Sequence, residues 1–379
     1  MRPISESLPR TRAEGEARDL RGLAHVHWAP GITALLLSLF GIVTIHSAAS
    51  ELPGNYALRQ LLYLGVALVV GALALATDSR VLVRLAPLIY GLSLALLVLV
   101  LILGAEGGGA RSWLEIGPLR FQPSELAKVA TGLMLARNLG RAGGAHLGFR
   151  ELAGVAAVLA PPMVLIVLER DLGGAAMLVP MAVGVVFTAG VRWRVVLATL
   201  VVGVVVAAGA WNFALLDYQK ERVHTFLSPE SDPLGAGYQL RQSQIAVGSG
   251  GLAGRGYMQG TQSQLRFLPA RHTDFVLSVL AEEWGFLGVT GVLALYAWYL
   301  LAGIGIAGGA RDREAVLLAA GLLAGLGFQI LYNIAMVVGL VPVTGVPLPF
   351  LSSGGSFLVA CFAATGILLG IDLRRHVNR

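Results

Sequence analysis

The chain has 379 residues, of which 56% are hydrophobic and only 13% are charged, with a formal net charge of +6. Soluble domains carry about 25% charged residues, so a soluble globular fold is excluded. The mean hydropathy of +0.73 points the same way. Apolar residues do not alternate with period two, which argues against an outer-membrane barrel. A single cysteine, Cys361, excludes an intrachain disulfide and a two-cysteine metal site. No HExxH, CxxC or Walker-type GxxxxGK[ST] pattern occurs, so zinc hydrolysis and ATP-driven work have no support in the sequence.

Residues 1–28 are polar and basic, and the apolar run that follows is a full span rather than a cleavable signal. They read as a disordered cytoplasmic tail. Ten spans are then expected, near 30–50, 57–77, 81–104, 123–139, 151–168, 172–190, 194–216, 274–307, 314–341 and 353–373. Each approaches the length needed to cross ~30 Å of hydrocarbon. The fourth is short and carries Glu125 and Lys128, so it is expected to be tilted or half-inserted. The chain therefore reads as an all-α, polytopic integral membrane protein with about ten transmembrane helices and one membrane domain over 29–375. If the N-terminus is cytoplasmic, 17 of the 28 Lys and Arg residues fall on inside segments. By the positive-inside rule both termini are cytoplasmic, and the long loop 217–273, between the seventh and eighth spans, faces outward. The positive charge is thus a matter of topology and gives no reason to expect nucleic acid.

Four outward segments collect unusual residues. The first, "GAEGGGARSWLEIGPLRFQPSELAK" from Gly104, is expected to be a flexible loop entering a helix at Pro123. Glu125 and Lys128 follow on one helical face, either as an internal ion pair or as cavity-facing groups. The second, "ERDLGGA" from Glu169, offers Asp171 as a helix cap. The third is the long loop. Its Lys220, Arg222, Arg241, Arg255, Arg266 and Arg271 suit either an anionic ligand such as a lipid diphosphate or a solvated loop that tolerates basic residues. The fourth, "PVTGVPLPFLSSGGS" from Pro342, is a Pro/Gly-rich break of the kind that lines cavities. There Ser352, Ser353 and the Gly354–Gly355 amides can form either an anion nest or a plain re-entrant turn.

The stretch "RFLPARHTDFVLSVLAEEWG" places Asp274 at the lip of an apolar run. Asp274 is placed either to N-cap the helix together with Thr273, where a carboxylate meets the positive helix end, or to point into a cavity while Thr273 caps. At ~100° per residue, Glu282 lies about 80° around the helix from Asp274 and Glu283 about 180°. Glu282 is therefore the expected neighbour of Asp274, and Glu283 is expected to face another helix.

"FQPSELAK", "ERDLGGA", "HTDFVLSVLAEEWGFLG" and "PVTGVPLPFLSSGGS", in that order, resemble the motifs of the SEDS proteins (shape, elongation, division and sporulation). The likeness covers most of the chain, and "GTQSQLRFLPARHTDF" is closest to the elongation-type members. The resemblance implies a peptidoglycan glycosyltransferase that polymerises lipid II at the outer leaflet of the bacterial cytoplasmic membrane. It also implies a class B penicillin-binding protein as partner. The family's essential aspartate maps onto Asp274, its charged pair onto Glu125 and Lys128, and its ExDLG aspartate onto Asp171. Arg111 carries over from the usual GARRW, which reads "GARSW" here, and "SSGGS" replaces the usual SYGGS. On this reading Asp274 is the general base. Lys128, Arg111, Arg271 and the serines neutralise diphosphate, and Glu282 and Thr273 support. A divalent cation, Mg or Mn, can share that work through Asp171 or Glu125, although the sequence shows none. A lipid-precursor flippase and a non-catalytic scaffold for the penicillin-binding protein are the competing readings.

Overall fold

A computed structural model of the chain describes residues 26–377, apart from 51, 108–109, 117–118, 143–146, 214–219, 221–223, 227, 229–231, 233–234 and 266. Residues 1–25 of the expected tail, and Arg222 and Arg266 of the long loop, lie outside the described residues. The described chain is helical around one small sheet. It begins with α1 (Ala29–Ala48), α2 (Tyr56–Ala76) and α3 (Ser79–Leu103). Local signals start each: Pro30 sits in the first turn of α1, where its missing N–H is not needed. Asn55 accepts from Leu58 N at 3.1 Å and Asp78 from Arg80 N at 2.9 Å, capping α2 and α3.

The segment after α3 is not the expected flexible loop. It pairs into an antiparallel sheet of β1 (Ala105–Gly107), β2 (Ala110–Ile116) and β3 (Leu119–Phe121), in that spatial order. Glu115 stands opposite Arg120 in the β2–β3 register, and their side chains form an exposed ion pair at 2.9 Å. Helices α4 (Pro123–Gly140), α5 (Phe149–Leu168), α6 (Leu172–Ala176), α7 (Leu178–Ala189) and α8 (Trp193–Phe213) follow. The long loop also carries structure, in α9 (Ala236–Ser249) and the single turn α10 (Thr261–Gln264). Helices α11 (Val276–Gly309), α12 (Arg313–Val338) and α13 (Gly355–Val377) complete the chain.

Eight of these segments are long and apolar enough to cross a membrane: α1, α2, α3, α5, the α6–α7 run, α11, α12 and α13. Helix α4 is not among them, because Glu125, Lys128 and Arg137 lower its hydropathy. It packs against α3, α5, α7, α12 and α13, so neighbouring helices, rather than lipid, cover most of its surface. A helix enclosed in that way has no need of an apolar exterior.

Helix α11 organises one end of the bundle. At ~1.5 Å per residue its 34 residues run about 51 Å, well beyond ~30 Å of hydrocarbon. Residues Val276 to Glu283 are all buried, whereas Phe286 and Leu287, past the break, are exposed at 62% and 66% as lipid-facing residues are. Between these halves Gly285 adopts φ 64°, ψ −162° and interrupts the helix. The glycine-rich loop ahead of α10 fills the gap with main-chain bonds. Arg255 N donates to Glu282 O at 3.0 Å and Gly256 N to Glu283 O at 3.0 Å. Phe286 N donates to Gly251 O at 2.9 Å and Leu287 N to Leu252 O at 3.1 Å.

The expected cap is not where the sequence placed it. Ala270 takes φ 49°, and its carbonyl accepts from Thr273 N and Asp274 N, both at 3.1 Å. This turn delays the helix, so Phe275 is the N-cap residue and caps through no side chain. The Thr273 hydroxyl bonds back to Ala270 O at 3.1 Å.

A Cβ at position 285 would lie 2.7 Å from Leu252 O and 2.8 Å from the Ala253 carbonyl carbon. The Gly285→Ala variant is expected to lose about 1–3 kcal/mol from the left-handed backbone alone. The checks are a lowered thermal midpoint in detergent and faster proteolysis within 250–256.

Candidate functional site

Most of the residues singled out by sequence gather at the end of the bundle where the sheet, α10 and the starts of α4, α6, α11 and α13 meet. Glu125 and Lys128, in the first turns of α4, form an ion pair at 2.7 Å, both buried. The Lys128 ammonium also sits 5.5 Å from the centre of the Phe357 ring, close enough for a cation–π contact. The two line a mostly apolar cavity with Met181, Gln329, Phe357 and Cys361, whose open space is about 30 Å³. That is room for about one water, not for a sugar or a diphosphate. The pair is thus an internal ion pair.

Asp171 is a cap, as its local sequence suggests. Its carboxylate accepts from Gly174 N at 2.7 Å, at the start of α6, and from Gln122 Nε2 at 3.3 Å. Gln122 N in turn donates to Ser356 Oγ at 2.9 Å, joining α4 to α13. The Arg111 side chain is exposed on β2, while its main-chain N donates to Glu169 O at 3.1 Å and staples the sheet to the 169–171 turn.

Sequence reading passed over Glu169, and its type at the end of an apolar run was the available signal. It is fully buried, and neither carboxyl oxygen has a hydrogen-bond partner among the described residues. Burial, reinforced by the Asp171 carboxylate, pushes its pKa up from 4.5 to about 8, so the neutral acid is the resting form.

Asp274 is half-buried at the mouth of α11. Its carbonyl accepts from Asn333 Nδ2 at 2.9 Å, and the same amide donates to Val346 O at 2.8 Å. Gly345, at φ 75°, lies so close that a Cβ there would be 3.5 Å from Asp274 Oδ2. A Cβ on Gly173 would be 2.8 Å from Thr344 O and 3.7 Å from Asp171 Oδ1. The Pro/Gly-rich break therefore passes between Asp171 and Asp274 and touches both neighbourhoods.

Two expected ligand groups, Ser352 and Arg271, are engaged elsewhere. Ser352 is buried, donates to Thr273 O at 2.6 Å and accepts from Leu348 N at 2.8 Å, so it latches the break onto the Asp274 turn. Ser353 N donates to His272 O at 2.9 Å and Gly354 N to Gln60 Oε1 at 3.2 Å. Protein acceptors thus take two main-chain amides of this turn, while Ser353, Gly354 and Gly355 line a cleft. Arg271 is only 3% exposed, and its Nε and Nη1 donate to Ala48 O and Ser263 O. It is an interior tie rather than a loop cation.

Glu282 does not pair with Asp274 in the way helical spacing suggested. The helix begins only at Val276, and the Glu282 carboxylate accepts from Gln262 N at 2.9 Å, Thr261 Oγ1 at 3.2 Å and Ser263 N at 3.3 Å. Glu283 faces α1 and accepts from Ser47 Oγ.

Beside the Asp274 turn opens a cleft of about 230 Å³ that includes Tyr56, Arg59, Tyr63, Trp113, Arg120 and Ser353 in its walls, with Thr273 at its edge. The Tyr56 and His272 rings lie 4.9 Å apart, centre to centre. Burial, then the neighbouring Arg271 charge, hold the His272 pKa down, so its imidazole is neutral near pH 7. Arg59, Arg120 and the aromatic walls escaped the sequence reading, because only the fold brings α2, the sheet and the 352–355 turn together. Among the described residues no three His, Cys, Asp or Glu side chains gather as a metal site. Asp171 and Glu125 are held by Gly174, Gln122 and Lys128, so the residues present do not fit the divalent cation raised from sequence.

A family model described as cell cycle protein, covering FtsW, RodA and SpoVE, matches residues 27–377. The chain belongs to this FtsW/RodA/SpoVE family. It is 40% identical over 355 residues to the peptidoglycan glycosyltransferase MrdB of Escherichia coli K12, covering 93% of this chain and 95% of that one. It is 34% identical to the stage V sporulation protein E of Bacillus subtilis, covering 90% and 95%. Among solved structures it resembles a chain from a study of how a peptidoglycan synthase complex coordinates polymerization and crosslinking. That match has a TM-score of 0.81 and 36% identity, and covers 93% of this chain and 98% of that one. The rod shape determining protein RodA of Thermus thermophilus matches with a TM-score of 0.70 and 34% identity over the same shares. This membership accounts for the multi-pass helical fold.

Two outcomes are expected from these contacts. Lys128→Met leaves Glu125 buried without its cation and should cost about 3–5 kcal/mol. The unfolding midpoint checks this, with Lys128→Met/Glu125→Gln recovering much of the loss. Glu169 is held protonated in the fold, but ionises near 4.5 when unfolded. The wild type therefore loses stability as pH rises from 4.5 towards about 8, through proton linkage. Glu169→Gln should match the wild type below that window and exceed it increasingly up to its upper limit, as read from melting at a series of pH values.

Proposed function

We propose that this chain is a peptidoglycan glycosyltransferase that joins lipid II disaccharides into glycan strands at the extracytoplasmic face of the bacterial cytoplasmic membrane, in cell elongation. The observation that carries the reading is the placement of Asp274: a half-buried carboxylate at the mouth of a membrane helix, whose turn borders a cleft with aromatic and basic walls. The names of the similar proteins support the reaction class, and the inside bias of the loop arginines supports the orientation.

Lipid II carries its sugar on a polyprenyl diphosphate, which is already a good leaving group. The difficulty lies in the acceptor hydroxyl, a weak nucleophile near neutral pH. Asp274 takes the hydroxyl proton as the new bond to the anomeric carbon forms. The bond from that carbon to the diphosphate oxygen breaks, and its electron pair leaves with the diphosphate. One direct displacement inverts the α-linked donor to a β-linked product without a sugar–enzyme intermediate. Trp113, Tyr56 and Tyr63 offer flat faces for sugar rings, and Arg59 lines the cleft where negative charge develops, with Arg120 beside it already paired to Glu115. Asp171, Glu125 and Glu282 serve the scaffold through the contacts described above. A class B penicillin-binding protein that cross-links the strands is the proposed partner.

The test is purified full-length protein supplied with lipid II, with glycan strands resolved by length. Asp274→Ala and Asp274→Asn, folded as judged by melting, are expected to polymerise about 10²–10⁴-fold more slowly, the range removed with a general base. Polymerisation at the wild-type rate by either variant, or movement of lipid II across the bilayer in place of polymer, would refute the reading.

A further inference from the structure

Helix α10 is a single turn between the glycine loop and α11, yet two buried ionic side chains grip it from opposite ends. Glu282, fully buried, takes the Gln262 and Ser263 amides at 2.9 and 3.3 Å. On the far side of Ser263, its carbonyl accepts from Arg271 Nη1. The Arg271 Nε bonds to Ala48 O, in the last turn of α1. Residue 263 is therefore held by a carboxylate through its N–H and by a guanidinium through its C=O. Gln264 extends the grip, since its Nε2 reaches Ser47 O and Ser47 Oγ, both at 3.3 Å.

Arg271 also belongs to the turn closed on Ala270 O, from which Asp274 N hangs at 3.1 Å. Neither Glu282 nor Arg271 lines the aromatic cleft. We infer that Glu282 and Arg271 are a coupled pair of positioning residues, which act through Ser263 to fix the turn that carries Asp274. The inference rests on the reading of Asp274 as the base, and it replaces substrate contact by Arg271 with an internal role. The lysine of Arg271→Lys keeps the charge but presents a point donor in place of the planar fork, so it cannot hold Ser263 O and Ala48 O together. Glu282→Gln keeps one acceptor oxygen and turns an amide NH₂ towards an N–H donor.

The experiment is a double-mutant cycle on the full-length protein, with kcat and KM measured on lipid II. Glu282→Gln and Arg271→Lys are each expected to lower kcat about 10–100-fold, with KM within about twofold, as for a group that acts only on the reacting geometry. The double variant should fall little below the worse single one, because both changes break the same tie. Glu282→Asp, which restores the charge, should recover part of kcat, and it stands in for Glu282→Gln if that protein fails to melt cooperatively. Multiplicative losses, a wild-type kcat in either single variant, or losses confined to KM would overturn the proposal. Amide exchange at Gln262 and Ser263 separates this from failure of the base assignment. Faster exchange in Glu282→Gln supports the grip even if Asp274→Ala polymerises normally, and unchanged exchange overturns it.

Discussion

In hydrocarbon, an interrupted helix must have its exposed amides and carbonyls repaired by protein, since water is absent. Gly285 creates such an interruption, and the glycine loop 251–256 supplies the repair. Much of this end of the molecule follows from that constraint. The repair fixes the loop against α11, the loop leads into α10, and α10 is seated on Glu282. Side chains at 285 or 254 would collide with the opposing backbone, so the close approach depends on glycine at both.

The buried acids can be understood together. A carboxylate in a membrane protein's interior must be paired, bonded or neutral. Glu125 is paired with Lys128, Glu282 is bonded to amides, and Glu169 is neutral, so three solutions occur within one end of the fold. Each leaves the acid unable to serve as an exposed base, although every one carries the functional group needed. Asp274 differs by its partial exposure and its position outside the helix. The Pro/Gly-rich break then links its surroundings to those of Asp171 through Thr344 and Gly345.

The spans were legible in sequence because hydropathy over twenty residues reports transfer into lipid. The helices accordingly lie close to the expected segments, α4 included, where Pro123 marked the start. The small sheet was not legible, since three short strands after a run of glycines carry no periodic signal. Nor were α9, which is held by contacts with α11 and α12, and α10, which is held by α1, α9 and α11. At the site, residue type identified Asp274, Asp171 and Glu125 as worth attention but could not give direction. Arg271 and Ser352 turn inward because main-chain carbonyls of distant segments meet them there. Thr273 lost its capping place to a positive φ at Ala270, which a sequence of ordinary residues does not announce. Arg59, Arg120 and Trp113 share a cleft only after folding.

The buried first half of α11 has a consequence for how this region can vary. From Val276 to Trp284 the chain climbs about 12 Å at ~1.5 Å per residue, and it is enclosed almost throughout. It is a ruler: its length sets how far the Asp274 turn stands from the break at Gly285. Adding or removing one residue would rotate the two glutamates by about 100°, detaching one from α10 and the other from α1 together. Substitution within this stretch is a question of volume, whereas a change in its length is a change in the height and aim of the whole site.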